Sequence, residues 1–321
     1  MTIPYAPTIQ LSPTGAHLSV RHYPAVGAAR GILLVSHGLG EHSGRYGAFA
    51  AAMAGHGFSV HALDHRGHGR TQAPDAPLGS FGSVDAVFDD LEALRKKAVD
   101  AEPGLPVLVF GHSMGGLIAL NAAIRSPALY DGLAVWNSNL FPGAAGRVAQ
   151  GLLALERMRK GSDVPSALLP VLTFEAWGKA IPGAQTPFDW LSHDPDVVAA
   201  YRADPLCGFA ANVGLWQALF RLAYAGAAID RLKRLESDLP IHLAGGGQDP
   251  ATAKGSAVER LATQMRSAGL KDVTLRIDPQ ARHETLNDHG REAAIAAFAA
   301  WARRVAEQTA GRASRRAQPA S

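Results

Sequence analysis

The chain has 321 residues, 47% of them hydrophobic and 18% charged, so a sizeable core is available and global disorder is excluded. The formal net charge is only +3 and no dense Lys/Arg stripe is present, so we expect no nucleic-acid binding. Cys207 is the only cysteine, which excludes an intramolecular disulfide and a cysteine-based zinc site.

The first segment of the chain, "MTIPYAPTIQLSPTG", has neither Lys nor Arg and no apolar core, so no secretory signal peptide is predicted. No apolar run approaches the roughly 20 residues that a transmembrane helix needs. We therefore expect a cytoplasmic protein without a transmembrane segment, and the sequence leaves weak contact with a membrane surface open. It does not indicate an oligomeric state.

Residues 1–137 begin with two strands and then alternate between strands and helices. Pro13-Thr14-Gly15 predicts a turn between the first two strands. After the fourth predicted strand, the segment "SVDAVFDDLEALRKKAVDA" predicts a helix. It has apolar residues at helical spacing, acidic residues early and lysines late, an order that is favourable for the helix dipole. The predicted strands are "TIQLS", "HLSVRHY", "GILLVSHG", "FSVHALDHRG", "PVLVFGHS" and "GLAVWNS".

The alternation stops at residues 138–231 and resumes over residues 232–307. The interruption is punctuated by Pro and Gly, contains short helical candidates, and predicts a helical cap inserted over the strand ends. Strands alternating with helices predict an α/β fold, with a mostly parallel sheet covered by helices on both faces. We expect residues 308–321, "QTAGRASRRAQPAS", to form a flexible tail.

A serine lies at the sharpest corner of this pattern. Gly111-His112-Ser113-Met114-Gly115 matches G-x-S-x-G, and the match falls where a strand turns into a helix. With 34 glycines in the chain the bare motif is weak evidence, and its position strengthens it. At such a nucleophile elbow the serine backbone is strained, and flanking glycines are needed because a Cβ would collide with the neighbouring strand and helix. Ser113 is therefore the candidate nucleophile.

A serine nucleophile needs a base, an orienting acid and donors for the oxyanion. Asp249 and His283 each follow a predicted strand, in the chain order Ser–Asp–His that α/β-hydrolases use. The amide after the nucleophile belongs to Met114, and the loop after the third strand offers the amide of Leu39. We predict a triad of Ser113, Asp249 and His283, with these two amides as the oxyanion hole.

Five ordered motifs, "HGLGEHSGRY", "DHRGHGRT", "GHSMGG", "GGGQDP" and "RHETLND", resemble the monoacylglycerol lipase and lysophospholipase branch of the α/β-hydrolases. The segment "FDWLSHDPDVVAAYRADPLCGF" resembles bacterial, S33-like members of that branch. The resemblance implies an eight-stranded sheet, a helical cap, no cofactor, and hydrolysis of single-chain acyl esters. One departure is that the insertion lacks the long, strongly apolar helix that a membrane-docking lid uses.

The insertion also supplies many apolar side chains. We expect some of them to pack against the core and the others to surround an acyl chain in the cleft. They are Leu140, Phe141, Leu152, Leu155, Met158, Phe174, Trp177, Trp190, Leu215, Trp216 and Phe220.

Three alternatives to a lipid esterase share parts of this pattern. A binuclear metal hydrolase could use the histidines of "HALDHRGH", residues 61–68, but the usual short His-x-His pair is missing, so we predict no metal. A proline-type aminopeptidase would need an acid for the free amino group, which Glu175, Asp189 or Asp194 could supply. A general carboxylesterase for small esters would share the triad and differ in its pocket.

Overall fold

The computed structural model describes residues 6–317, with side chains described as far as residue 311. Eight strands form one sheet in the order β1-β2-β4-β3-β5-β6-β7-β8. The strands are β1 Thr8–Leu11, β2 His17–Tyr23, β3 Gly31–Ser36, β4 Phe58–Leu63, β5 Val107–His112, β6 Gly132–Trp136, β7 Ile241–Gly246 and β8 Val273–Asp278.

The sheet is antiparallel only at its N-terminal edge. β2 pairs antiparallel with both β1 and β4, and every other neighbouring pair is parallel. The predicted eight-stranded, mostly parallel sheet is therefore confirmed. Because parallel strands end at the same edge, the loops after β3, β5, β6, β7 and β8 meet there.

Helices cover both faces of the sheet, and alternate residues of each central strand point to opposite faces. In β3, for example, Ile32 and Leu34 belong to the hydrophobic core on one face of the sheet, whereas Leu33 and Val35 belong to the core on the other face. The helices are α1 Gly47–Gly55, α2 Val84–Ala101, α3 Met114–Arg125, α4 Gly143–Lys160, α5 Ala176–Lys179, α6 Pro195–Ala203, α7 Val213–Ala227, α8 Ile229–Leu232, α9 Ser256–Ser267 and α10 Arg291–Ala317.

Helices α4 to α8 lie between β6 and β7, in the stretch where the sequence loses its strand–helix alternation. Local signals set their starts: Asn212 caps α7 by accepting from the amide of Leu215 at 2.8 Å, and Asp194 precedes Pro195 at the start of α6. A π-helical turn, Val171–Glu175, precedes α5. We call residues 138–231 the insert; its predicted end lies within α8.

The C-terminal helix is longer than expected. α10 runs from Arg291 to Ala317, so ten residues of the segment 308–321 that we expected to be a flexible tail are helical. Their composition explains the difference, because Ala and Arg are among the strongest helix formers and the one Gly is tolerated at moderate cost. The last four residues of that predicted tail lie outside the described residues.

Two buried histidines, His68 and His242, and the partly buried His61 predict acid sensitivity of the fold. Burial lowers the pKa of His61 and of His68 to about 3, and that of His242 to about 4. An unfolded histidine titrates near 6.5, so between pH 6.5 and about 4 the unfolded chain binds protons that the folded chain does not. Stability is therefore full above pH 6.5 and falls as the pH drops, by ~2 kcal/mol per histidine at pH 5.

Urea unfolding at pH 8, 6 and 5 measures this loss. The variant His242→Gln should lose less stability over that range than the wild type, whereas replacing the exposed Gln185, which carries no titratable group, by Ala should leave the pH dependence unchanged. A free energy of unfolding that is constant from pH 8 to pH 5 would contradict the assignment of these histidines as neutral.

Candidate active site

The backbone at Ser113 is a strained turn between β5 and α3. Its φ of 54° and ψ of −119° lie in a region that residues other than glycine rarely adopt. The flanking glycines permit it: a Cβ on Gly111 would lie 2.1 Å from the carbonyl oxygen of Gly115, and one on Gly115 would lie 2.0 Å from that of Ser36. The turn has the geometry expected of a nucleophile elbow.

Asp249 and His283 are in direct contact. Asp249 follows β7, His283 follows β8, and Oδ2 of the aspartate accepts from Nδ1 of the histidine at 2.9 Å. Both side chains are buried. Because the carboxylate can only accept, Nδ1 carries the proton and Nε2 is left with a lone pair. The ring of Trp190 lies 4.8 Å from the His283 ring on the side of the insert.

The carboxylate of Asp249 stays ionised although it is buried. Burial alone would raise its pKa, but the His283 ring, the Thr252 hydroxyl and the Ala251 amide outweigh burial and hold the pKa below the usual value. Thr252 Oγ1 donates to Oδ2 at 2.7 Å, and the Ala251 amide donates to Oδ1 at 2.9 Å. Asn137 adds a longer contact of 3.3 Å. An ionised carboxylate here fixes the tautomer of His283.

Ser113 and His283 line the same cavity, but in the described part of the chain Ser113 Oγ makes no hydrogen bond with His283 or with any other residue. Such contacts are often loose in the absence of substrate. The amides of Leu39 and Met114 likewise have no acceptor within residues 6–317, and both residues line the cavity. The structure thus brings all five predicted residues to one site and joins two of them by a hydrogen bond.

The cavity has a volume of about 390 Å³ and extends from Ser113 beneath the insert. Most of its lining is apolar, and α3, α7, the segment around the π-helical turn and the segment before α6 all contribute to it. Five of the eleven apolar residues singled out in the insert line it: Phe174, Trp177, Trp190, Trp216 and Phe220.

Two contributors to the site were missed by sequence reasoning. Asn137, with a φ of 49°, follows β6, donates to Asp249 and accepts from Thr285 at 3.1 Å. Glu41 is buried in the loop after β3 and also lines the cavity. Glu41 is the only acidic residue of the motif "HGLGEHSGRY", a signal that could have pointed to it, whereas nothing local marks Asn137.

The histidine-rich loop after β4 is structural. Asp64 accepts from the amides of Ser43 at 2.8 Å and Arg70 at 2.9 Å, and His65 Nε2 contacts the Ser36 hydroxyl at 2.7 Å. Burial lowers the pKa of His65 well below its usual value, so the ring is neutral. These contacts shape the loop beside the cavity and do not gather the histidines around a common point.

The donor atoms that do converge, among the residues described, are those of His42, Asp204 and Cys207. His42 Nε2 donates to Asp204 Oδ2 at 2.9 Å while Nδ1 accepts from the Gly44 amide at 3.1 Å. A metal at Nε2 would require the proton to move to Nδ1, where it would face the proton of that amide. The arrangement favours a hydrogen bond between loop and insert over a metal centre.

The three acids considered as anchors for a peptide amino group differ in position. Glu175 lines the cavity and lies 3.8 Å from Lys179. Asp189 accepts from the amide of Gln185, and Asp194 caps α6. Only the first of these three therefore faces the space in which a substrate would lie.

Comparison with known proteins agrees with this arrangement. Residues 27–290 match the family described as serine aminopeptidase, S33. The chain belongs to this family. It is 31% identical over 283 residues to a monoacylglycerol lipase of Mycolicibacterium smegmatis, covering 85% of this chain and 88% of that protein. It is 27% identical to the human monoglyceride lipase, covering 88% of this chain and 85% of the relative.

Among solved structures, a thermostable carboxyl esterase from Bacillus coagulans in complex with glycerol superimposes with a TM-score of 0.85 at 28% identity, covering 95% of this chain and all of that one. This member of the S33 family is therefore an α/β-hydrolase, similar to monoacylglycerol lipases, and an ester-hydrolysing enzyme. No helix within residues 6–317 is both long and apolar enough to cross a bilayer.

Proposed function

We propose that this enzyme hydrolyses esters of single acyl chains with small alcohols, with monoacylglycerols and lysophospholipids as its substrate class. The observation that carries the proposal is the apolar cavity, which starts at Ser113 and is lined by aromatic side chains of the insert. A single acyl chain would fill it, with the ester carbonyl beside the serine. The relatives named as monoacylglycerol and monoglyceride lipases support the same substrate class.

In the first half of the proposed reaction, Ser113 Oγ attacks the ester carbonyl carbon while His283 Nε2 takes the hydroxyl proton. Asp249 holds the ring in the tautomer that leaves Nε2 free and stabilises the imidazolium that forms. The amides of Leu39 and Met114 donate to the oxyanion of the tetrahedral intermediate. The C–O bond to the alcohol then breaks, and His283 returns the proton to the leaving alkoxide.

In the second half, water attacks the acyl-enzyme carbonyl and His283 takes its proton. Collapse of the second tetrahedral intermediate breaks the bond to Ser113 Oγ, and the proton returns to that oxygen. The products are a free fatty acid and the regenerated enzyme. All groups needed for these steps are side chains and amides of this chain, so the mechanism uses no cofactor and no metal.

Activity should rise with acyl-chain length until the cavity is full. Each buried methylene contributes about 0.8 kcal/mol, so kcat/KM should increase by up to about fourfold per CH₂ beyond acetate and then level off. A p-nitrophenyl ester series from acetate to palmitate, beside 1-monoacylglycerols, measures the profile. Ala223→Phe, which adds a ring to the cavity wall, should shift the optimum to shorter chains; Ala225→Phe, outside the lining, should not.

The same assay separates the competing functions. A maximum with the acetate ester would indicate a general carboxylesterase for small esters. Preferred cleavage of a proline arylamide would indicate an aminopeptidase, with Glu175 at the cavity as the anchor for the free amino group. The apolar lining favours the lipid ester over both alternatives.

We also propose that the insert acts as a cap through which the enzyme meets lipid surfaces. On α4, Val148, Leu155 and Met158 lie on one helical face and are exposed, Met158 by 78%. The exposed Leu168 precedes the π-helical turn, and the exposed Val171 and Leu172 are its first two residues; the other three residues of the turn line the cavity.

A cytoplasmic location stays a prediction from the sequence alone.

The basic residues Arg157, Arg159 and Lys160 at the end of α4 suit an anionic lipid surface. The double variant Leu155→Ser/Met158→Ser should bind phosphatidylcholine–phosphatidylglycerol vesicles about tenfold more weakly than the wild type, since two exposed apolar anchors are lost. Val26→Ser, at an exposed apolar residue outside the insert, is the matched control. Equal vesicle binding by the wild type and the double variant would contradict the proposed surface.

A further inference from the structure

A buried carboxylate organises the loop that carries the amide of Leu39. Glu41 Oε1 accepts from the amide of Gly38 at 2.6 Å and from the hydroxyl of Tyr46 at 2.7 Å, while Oε2 accepts from Arg45 at 2.8 Å. Burial would raise the pKa of Glu41, but the contacts with His112 and Arg45 hold it well below the usual value. The loop after β3 is thus built around a fixed negative charge.

His112, the last residue of β5, lies between this carboxylate and the loop after β8. Its Nε2 donates to the main-chain carbonyl of His283 at 3.0 Å, and the two rings lie 4.9 Å apart. Its Nδ1 is buried, has no hydrogen-bond partner within residues 6–317, and lies 3.6 Å from Glu41 Oε1. That separation is too long for a neutral hydrogen bond but falls within ion-pair range.

The charges around His112 favour a proton on both ring nitrogens. Arg45 donates to Glu41 through Nη1. It also donates to Glu284, the neighbour of His283, through Nη1 and Nη2. One guanidinium between two buried carboxylates leaves one negative charge uncompensated. Burial lowers the pKa of His112, but the charges of Glu41 and Glu284 and the carbonyl of His283 raise it above the usual value.

We infer that His112 is a positioning residue, an imidazolium that ties the loop of the base to the loop of the oxyanion amide. The inference rests on the proposed roles of Ser113, His283 and Leu39. Because His112 directly precedes Ser113, its two contacts fix the distance of both loops from the nucleophile. Loss of the Nδ1 proton leaves a lone pair facing Glu41 and loosens the link between the loops.

This role predicts an alkaline limb in the pH profile of kcat. The charged or titratable groups that face His112 are Glu41, Glu284, Arg45 and His283, with the Tyr46 ring 6.3 Å away. As the pH rises through the raised pKa of His112, the imidazolium loses its proton and kcat falls. KM should change little, because the link orients the reacting groups and its loss leaves the aromatic lining of the cavity in place.

The test measures p-nitrophenyl butyrate hydrolysis from pH 6 to 10 for the wild type, His112→Asn and Glu41→Gln. His112→Asn should lower kcat by about 10- to 100-fold with KM within about threefold, as expected of a misplaced base, and should lack the alkaline limb. Glu41→Gln keeps acceptors for Gly38 and Tyr46 but removes the charge, so its alkaline limb should move to lower pH. The control His242→Asn, at a buried histidine outside the site, should keep the wild-type profile.

Wild-type kcat in His112→Asn, or a lowered kcat with an unchanged alkaline limb, would overturn the inference and leave His112 with a purely structural role. If His112→Asn fails to fold, an unchanged limb in Glu41→Gln overturns it equally. Labelling each protein with a fluorophosphonate separates this failure from that of the proposed function. A wild-type enzyme that is not labelled at Ser113 refutes the function, whereas labelled enzymes with identical pH profiles refute only the role of His112.

Discussion

Replacing Ser113 with alanine is expected to lower kcat for ester hydrolysis by about 10⁶-fold, because the triad acts as a unit and no other group can form the acyl-enzyme. The fold should be unaffected, since Ser113 Oγ makes no hydrogen bond within the described chain and alanine is smaller. His283→Ala should be equally severe. The measurement is kcat with a medium-chain p-nitrophenyl ester, together with circular dichroism.

Ser126→Ala is the matched control for Ser113→Ala. Ser126 follows the last residue of α3, at the opposite end of that helix from Ser113, and its hydroxyl donates to Glu92 of α2. It should retain wild-type activity. A folded Ser113→Ala enzyme that turns over ester within tenfold of the wild type would show that another residue is the nucleophile.

Asp249→Asn is expected to cost about 10⁴-fold in kcat. The amide group of the new asparagine would keep its oxygen towards the Ala251 amide, because its NH₂ cannot face that donor. The NH₂ would then face Nδ1 of His283 and select the tautomer with a proton on Nε2. A histidine protonated there cannot accept the proton of Ser113, so the base is lost while the geometry is kept.

The exposed Asp163, replaced by asparagine, provides the control for the loss of one carboxylate and should behave as the wild type. Both variants are compared by steady-state kinetics at pH 8 after thermal unfolding has established that they fold. Activity of Asp249→Asn within tenfold of the wild type would mean that the tautomer of His283 is fixed by another group.

The sheet and the residues of the proposed triad could be predicted from local signals. Strands alternating with helices predict a mostly parallel sheet, and such a sheet collects the loops after its strands at one edge. Ser113, Asp249 and His283 each follow a strand, so their types and chain order were enough to propose that they meet. The glycines around Ser113 mark the turn because a Cβ there would overlap backbone atoms.

The supporting contacts could not be predicted, because they join residues distant in the chain. Asn137 reaches Asp249 across 112 residues and Thr285 across 148. His112 meets the carbonyl of His283 across 171 residues. A sequence pattern gives the type of each residue. The loops after β6, β7 and β8, however, meet at the buried carboxylate of Asp249 only in the packed structure.

The insert was predicted in composition but not in orientation. The sequence could not separate apolar side chains that line the cavity, such as Phe174, from those exposed on α4, such as Leu155 and Met158. Both sets are large apolar residues of the same insert, and the packing of each segment against the core decides which of them line the cavity. The exposed set is the reason why we propose a lipid contact, which the sequence alone left open.

The most direct test of the account is to identify the residue that becomes acylated. Wild-type enzyme mixed with an excess of a p-nitrophenyl ester and quenched in acid within the first turnovers should carry one acyl group. Peptide mapping by mass spectrometry should place this group on Ser113, in the peptide that contains "GHSMGG", and Ser113→Ala should carry none. An acyl group on another residue, or turnover of the ester without acylation of Ser113, would contradict the account.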